Sequence, residues 1–239
     1  NWQHRPACGS AHMGKTDMAA VITIDGPSGS GKGTIAHLVA QRLGWHCLDS
    51  GALYRLVGLA AARAGIGDDQ FDELARIART MDASFTGRRT LLNGEDVSLE
   101  IRSEKAGNAA SRVAAVPQVR AALLDWQRAY ARQPGLVADG RDMGSVVFPD
   151  AQVKIFLTAS AEERAQRRYN QLKEKGLDAN LSDLVAEIRE RDERDQNRSV
   201  APLAAASDAL RVESTALSID EVLEKVLEKA RVVFPDLDI

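Results

Sequence analysis

The sequence is poor in cysteine. Only Cys8 and Cys47 carry a thiol among 239 residues, and Cys8 falls in a stretch, residues 1–13, that reads as an expression tag. One remaining cysteine closes no internal disulfide and supplies no metal-ligand spacing, which excludes a disulfide-stapled fold and a zinc site. A reducing, cytoplasmic location is the natural reading. Long hydrophobic runs are missing too, so no transmembrane helix and no membrane partner are expected. Nor is positive charge in excess: 31 Lys and Arg stand against 34 Asp and Glu, a formal net charge of −3. That balance speaks against a surface that coats nucleic acid. Residues 1–13 also lack the apolar stretch of a secretory signal and are set aside from the fold.

What is present suits one medium domain with small insertions: 44% hydrophobic and 27% charged residues, without repeats or low-complexity tracts. Val21–Asp25 reads as a buried parallel strand, followed by a glycine-rich loop and a helix over Thr34–Leu43. Trp45–Leu48 is a second strand, and Ser50 reads as the N-cap of a helix over Ala52–Ala64. From about 65 to 99 the pattern changes to a short helix (Phe71–Arg79) and three β-like runs around 84–86, 90–92 and 96–98. Asn93-Gly94 is a two-residue hairpin signal between the last two, so an antiparallel insertion is expected. Helices over 103–115 and 117–132 follow, the second opened by Pro117. Strands over Leu136–Ala138, Val153–Leu157 and Leu210–Val212 alternate with helices over 161–175, 181–197 and 219–233. This alternation implies an α/β fold with a parallel sheet covered by helices on both faces.

The loop Gly26-Pro27-Ser28-Gly29-Ser30-Gly31-Lys32-Gly33-Thr34 has the spacing G-x-x-x-x-G-K between a strand and a helix. Glycines let backbone N–H groups curl inward around an anion, and the following helix adds the positive end of its dipole. Lys32 reaches the outer phosphates of a nucleoside triphosphate as a point charge. One departure matters: Gly33 stands where a magnesium-binding hydroxyl usually follows the lysine, and the hydroxyl comes one place later at Thr34. The Lys-Gly-Thr ending resembles nucleoside monophosphate kinases rather than switches or motors.

Kinase chemistry is chiefly positioning and charge neutralisation, so cations are needed around two facing phosphates. Three groups qualify. Tyr54 and Arg55 lie one turn into the helix after the second strand. Asp139-Gly140-Arg141-Asp142 follows the third buried strand, with Asp139 placed to orient Mg²⁺ or its water and Arg141 to present a planar fork to phosphate. In the charged run 189–198, Arg191, Asp195 and Arg198 fall at i, i+4 and i+7 and share one helix face. Alone such a run reads as a solvated face with weak ion pairs; beside a triphosphate loop it reads as a closing lid that excludes water.

Together these segments resemble the bacterial cytidylate kinases over nearly the whole chain, about Val21 to Val233. The matching motifs are GPSGSGKGT at 26–34, LDSGALYR at 48–55, EDVSLEIR at 95–102 and NAASRVAAVPQVR at 108–120. ADGRDMGSVVFPDA at 138–151, VKIFL at 153–157 and ERDERDQNRSVAPL at 190–203 complete the set. The resemblance implies a five-stranded P-loop kinase core over 14–64 and 106–239. It further implies a monophosphate-binding insertion over 65–105, a helical lid over about 165–198, ATP and Mg²⁺ as donor and cofactor, CMP or dCMP as acceptor, and a monomer. It places Ser50, Ser111, Arg120 and Asp142 around the CMP base, and Arg55 and Arg141 on its phosphate. Arg191 and Asp195 fall on the ribose, Arg198 on the phosphate side, and Arg167 on ATP. Asp142 would accept a hydrogen bond from the cytosine amine that uracil lacks. Two alternatives stay open: a kinase for UMP or AMP, and a nucleotide-dependent switch.

Overall fold

The computed structural model describes residues 19–86, 89–174 and 176–237. The tag reading of 1–13 lies outside them, as does Lys175. The elements are β1 (Ala20–Asp25), α1 (Lys32–Leu43), β2 (His46–Asp49), α2 (Ser50–Arg63), α3 (Phe71–Thr80), β3 (Ala83–Thr86), β4 (Arg89–Leu92), β5 (Glu95–Asp96), α4 (Glu104–Val113) and α5 (Pro117–Arg128). β6 (Gly135–Gly140), β7 (Val153–Thr158), α6 (Ala161–Glu174), α7 (Leu181–Gln196), β8 (Leu210–Glu213) and α8 (Ile219–Val233) follow. They fall into two compact units, one of Ala20–Asp49 with the chain from Gln133 onward, the other of Ser50–Arg132.

The first unit carries a five-stranded sheet of order β2-β6-β1-β7-β8 in which every pairing is parallel. Leu136, Val137 and Ala138 are all 0% exposed, which explains why β6 reads as a continuous apolar run. The chain leaves β1 toward β2 and leaves β6 toward β7, in opposite directions along the sheet. Such a reversal opens a crevice at the carboxyl ends of β1 and β6, where ligands of open α/β sheets bind. On one face, Ile35, Ala36, Val39 and Ala40 of α1 pack with Val222, Leu223, Val226, Leu227 and Ala230 of α8 over Ile22, Ile24, Val137 and Ile155. The α8 stripe recurs at helical spacing, and its start is fixed by a capping box between Ser218 and Glu221. α1 has no such device. Gly31 stands at its N-cap without a side chain, leaving the first-turn N–H groups free of a capping partner from that position.

The second unit packs α2 to α5 with a three-stranded antiparallel sheet, β3-β4-β5. Asn93 (φ 52) and Gly94 (φ 82) form the hairpin turn between Leu92 and Glu95, as the dipeptide predicts. α2 approaches α4 closely: a Cβ on Gly58 would lie 2.9 Å from that of Ala109. Phe85 lies tilted against Trp126, which meets Tyr130 edge-on, tying β3 to α5.

Three expectations need correction. Ser50 is not a cap ahead of Ala52; α2 begins at Ser50 itself, and its Oγ donates across to Gln127 Oε1 of α5 at 2.9 Å. The last short strand ends at Asp96: the Val97 N–H still donates to the Thr90 carbonyl at 2.9 Å, but the Thr90 N–H goes to Ser98 Oγ at 2.9 Å, and Asp96 Oδ1 takes the Ser98 N–H at 3.0 Å. β6 does not end at Ala138: Asp139 and Gly140 continue the ladder opposite Ile24 and Asp25. The sequence also held no signal for the π turn at Met143–Val147. Among the described residues no helix is long and apolar enough to cross a membrane.

Leu227 is fully buried in the α1–α8 layer. Leu227→Ala is expected to lower unfolding free energy by about 2–5 kcal/mol, read from urea denaturation followed by circular dichroism.

Candidate active site

The phosphate loop begins where β1 ends. At Gly26 a Cβ would fall 2.0 Å from the Leu157 carbonyl oxygen of β7, so only glycine lets the chain pass there. Gly31 turns into α1 with φ 90, a conformation that disfavours side chains. Lys32 folds back over the loop, its Nζ donating to the Pro27 carbonyl at 3.2 Å, and is only 9% exposed. Burial pushes its pKa well below the usual lysine value; the charges of Arg141 and Arg191 push the same way, while Asp139 and Asp49 pull it back. An anion in the loop would relieve that repulsion.

Beside the loop, Asp139 on β6 lies in register with Asp49 on β2. Burial first, and then the Asp49 carboxylate, raise the Asp139 pKa. Beyond β6, Arg141 Nε donates to Asp195 Oδ2 at 2.9 Å, and Arg198 donates to Asp195 Oδ1 at 2.5 Å. Asp195 and Arg198 side chains are 1% and 3% exposed, and Arg191, one turn earlier on α7, is buried as well. The shared helix face expected for these three residues is met by Arg191 and Asp195, which are buried on α7; α7 ends at Gln196, so Arg198 lies just past its C-cap Asn197 and reaches Asp195 from there. The segment carrying Arg141 and Asp142 is held to β1: Met143 and Gly144 N–H groups donate to the two oxygens of Asp25, each at 2.8 Å. Burial nevertheless raises the Asp25 pKa to about 7, helped by Asp142 and opposed by those two donors and Arg141.

The Ser50–Arg132 unit gathers its own candidates. Ser50, Tyr54 and Arg55 project from α2, Ser111 from α4 and Arg120 from α5. Tyr54, Ser111 and Arg120 are buried. The Arg120 guanidinium lies over the Tyr54 ring, 5.6 Å from its centroid, and Arg55 donates to the Ile101 carbonyl at 2.6 Å.

Residues 22–232 match the family described as cytidylate kinase. The cytidylate kinase of Aeromonas salmonicida (strain A449) is 59% identical over 217 residues, covering 89% of this chain and 94% of that protein. That of Salmonella arizonae (strain ATCC BAA-731 / CDC346-86 / RSK2980) is 57% identical over 220 residues, covering 90% and 97%. A crystal structure of an uncharacterized protein from Eubacterium ventriosum ATCC 27560 superposes with a TM-score of 0.50 at 13% identity, covering 87% of this chain and 96% of that one. That last likeness is one of fold alone.

The chain belongs to the cytidylate kinase family.

Within the family frame, the structure brings Lys32, Asp139, Arg141, Arg191, Asp195 and Arg198 into one electrostatic cluster in the first unit, and in the second it sets Arg120 over Tyr54 and joins Ser50 to Gln127. Arg167 pairs with Glu163 at 2.9 Å and donates to the Ser214 carbonyl at 2.8 Å. Three residues escaped the sequence reading. By type and position Asp25 is the last residue of a strand, Gln127 an amide within a helix, and Arg164 one of several arginines on a charged helix. Only their buried partners distinguish them.

Among the described residues no three His, Cys, Asp or Glu side chains converge to hold a metal. The donors present suit Mg²⁺, which keeps several waters and takes few protein ligands. A Cβ built on Gly33 would lie 3.8 Å from Asp139 Oδ2, so the buried carboxylate faces the start of α1, while Thr34 is exposed.

Two outcomes are expected. Asp195→Asn leaves the buried Arg198 and the half-buried Arg141 without their shared carboxylate and is expected to cost about 3–5 kcal/mol of stability by chemical denaturation. Asp25 holds its proton to about pH 7 when folded, against a reference value of 3.8. Its contribution to stability is therefore full at low pH and falls as pH rises to 7. Asp25→Asn should flatten that decline by on the order of 1 kcal/mol per pH unit, read from urea unfolding at pH 5 and 6.5.

Proposed function

We infer that this chain is an ATP-dependent kinase that transfers the γ-phosphoryl group of ATP to CMP or dCMP, yielding ADP and CDP or dCDP. The observation that carries this reading is the buried Lys32 held against the charges of Arg141 and Arg191. Cations kept in mutual repulsion are useful where a polyanion comes to sit among them, and a transferring phosphoryl group with its neighbours is such a polyanion. Membership of the cytidylate kinase family supports CMP as the acceptor.

In this reading the loop from Gly26 to Thr34 and Arg167 hold ATP. Ser50, Tyr54, Arg55, Ser111, Arg120 and Asp142 hold the acceptor nucleotide, and Arg191 with Asp195 bind its ribose. A phosphate oxygen of CMP attacks the γ-phosphorus in line. The new O–P bond forms as the bond to the β–γ bridging oxygen breaks, and ADP leaves with that electron pair. The attacking phosphate is largely dianionic at neutral pH, so no general base is required, and no phospho-enzyme forms. Lys32, Arg141, Arg191 and Arg198 stabilise charge on the three peripheral oxygens during transfer. Asp139, with Thr34 as the second candidate, would hold Mg²⁺ through its water; when bound, the ion neutralises phosphate charge. The enzyme works in the cytoplasm as a monomer.

A coupled assay with ATP and CMP, dCMP, UMP or AMP in turn tests the reading; CMP and dCMP should be turned over far faster than the others. Indifference to CMP would sink it. Asp142→Ala should reduce kcat/KM for CMP roughly 10- to 100-fold and leave the residual activity on UMP nearly unchanged. Equal losses on both would remove Asp142 from base recognition.

A further inference from the structure

Arg164, in the first turn of α6, makes four hydrogen bonds beside the phosphate loop, and the transfer scheme assigns it no role. Its side chain is 4% exposed. Nε donates to the Ala159 carbonyl at 2.9 Å. One terminal nitrogen donates to the Ser28 carbonyl in the loop at 2.9 Å and to Asp192 Oδ1 at 3.0 Å, and the other donates to Asp192 Oδ2 at 2.5 Å. The guanidinium fork thus closes two-pronged on the Asp192 carboxylate while its inner edge holds the loop backbone. α6 also lies against the loop directly, since a Cβ on Gly29 would meet Arg164 Cβ at 3.3 Å.

Asp192 is the next residue after Arg191 and lies in the same turn of α7 as Asp195. We propose that Arg164 is a positioning residue: through Asp192 it sets α7, and with it Arg191, Asp195 and Arg198, against the phosphate loop. It reaches the loop through a backbone carbonyl and touches no reacting atom, so its effect on transfer passes through the residues it places. A bare ion pair for stability would need neither the contact to Ser28 nor the two-pronged geometry. A lysine keeps the charge yet cannot span a carboxylate and a carbonyl in one plane. Displacements near 1 Å cost about 10²-fold in rate where the geometry of transfer is demanding.

The role in catalysis rests on the proposed kinase reading; the mechanical link does not. Arg164→Lys, Asp192→Asn and the double variant are to be compared with the parent in steady-state kinetics with CMP and ATP. Binding of a non-hydrolysable ATP analogue is measured by calorimetry. We expect kcat to fall roughly 10- to 100-fold in each single variant, with analogue affinity and KM for CMP within about threefold. The double variant should be no worse than the poorer single one, because both changes cut the same link. Multiplying losses, a kcat within about threefold of the parent, or analogue affinity falling in step with kcat would each overturn the proposal. Hydrogen exchange separates the two readings: on adding the analogue, α7 amides should gain protection in the parent and not in Arg164→Lys. A parent inactive on CMP that still shows this difference sinks the kinase reading and keeps the link; absence of the difference sinks the link.

Discussion

Burying several positive charges near one another is the constraint on which this structure turns. Lys32, Arg141, Arg191 and Arg198 are all largely removed from water in the unit that carries the parallel sheet. Unpaired, each would carry a desolvation penalty of several kcal/mol. The fold meets it with carboxylates delivered from different elements: Asp139 and Asp49 from adjacent strands act on Lys32, and Asp195 from α7 takes Arg141 and Arg198 together. Compensation is incomplete at Lys32, where burial and neighbouring arginines still dominate. A binding site for highly charged phosphates gains from that residual imbalance.

The sheet order makes this arrangement possible. Because the chain leaves β1 and β6 in opposite directions, their carboxyl ends stand side by side with no crossover helix between them. The uncapped start of α1 and the segment Arg141–Asp142 share that edge, and Asp25 fastens the two by accepting both the Met143 and Gly144 N–H groups. Side chains that hold anions are thereby set on short, strongly tethered pieces of backbone. Arg164 extends the tether to α7. The second unit applies the same logic on a smaller scale, with Ser50 held by Gln127 and Tyr54 covered by Arg120.

Much of this was legible in the residues. The hairpin at Asn93-Gly94 follows from the positive φ that its turn demands, and β6 is recognisable because a strand buried on both faces must be apolar throughout. The loop is legible since its glycine spacing is tied to backbone curvature. Boundaries were less secure where a side chain chose a distant partner. Ser50 resembles a helix cap by type, yet its hydroxyl bonds Gln127, 77 positions along the chain. The π turn at Met143–Val147 had no signal because a buried carboxylate on another strand holds it in place.

The sequence by itself determined the order of strands and helices, the phosphate loop and the identity of the charged residues, because these depend on local periodicity and on spacings of a few residues. Only the tertiary structure decided what those charges are for. Arg164 and Arg167 lie one helical turn apart and look alike in the sequence; one is locked between the loop and Asp192, the other turned toward Glu163 and Ser214. Likewise Arg191, Asp195 and Arg198 read as well as a solvated face as an interior one. Burial and long-range pairing depend on which elements meet across the fold, and local spacing carries no record of that.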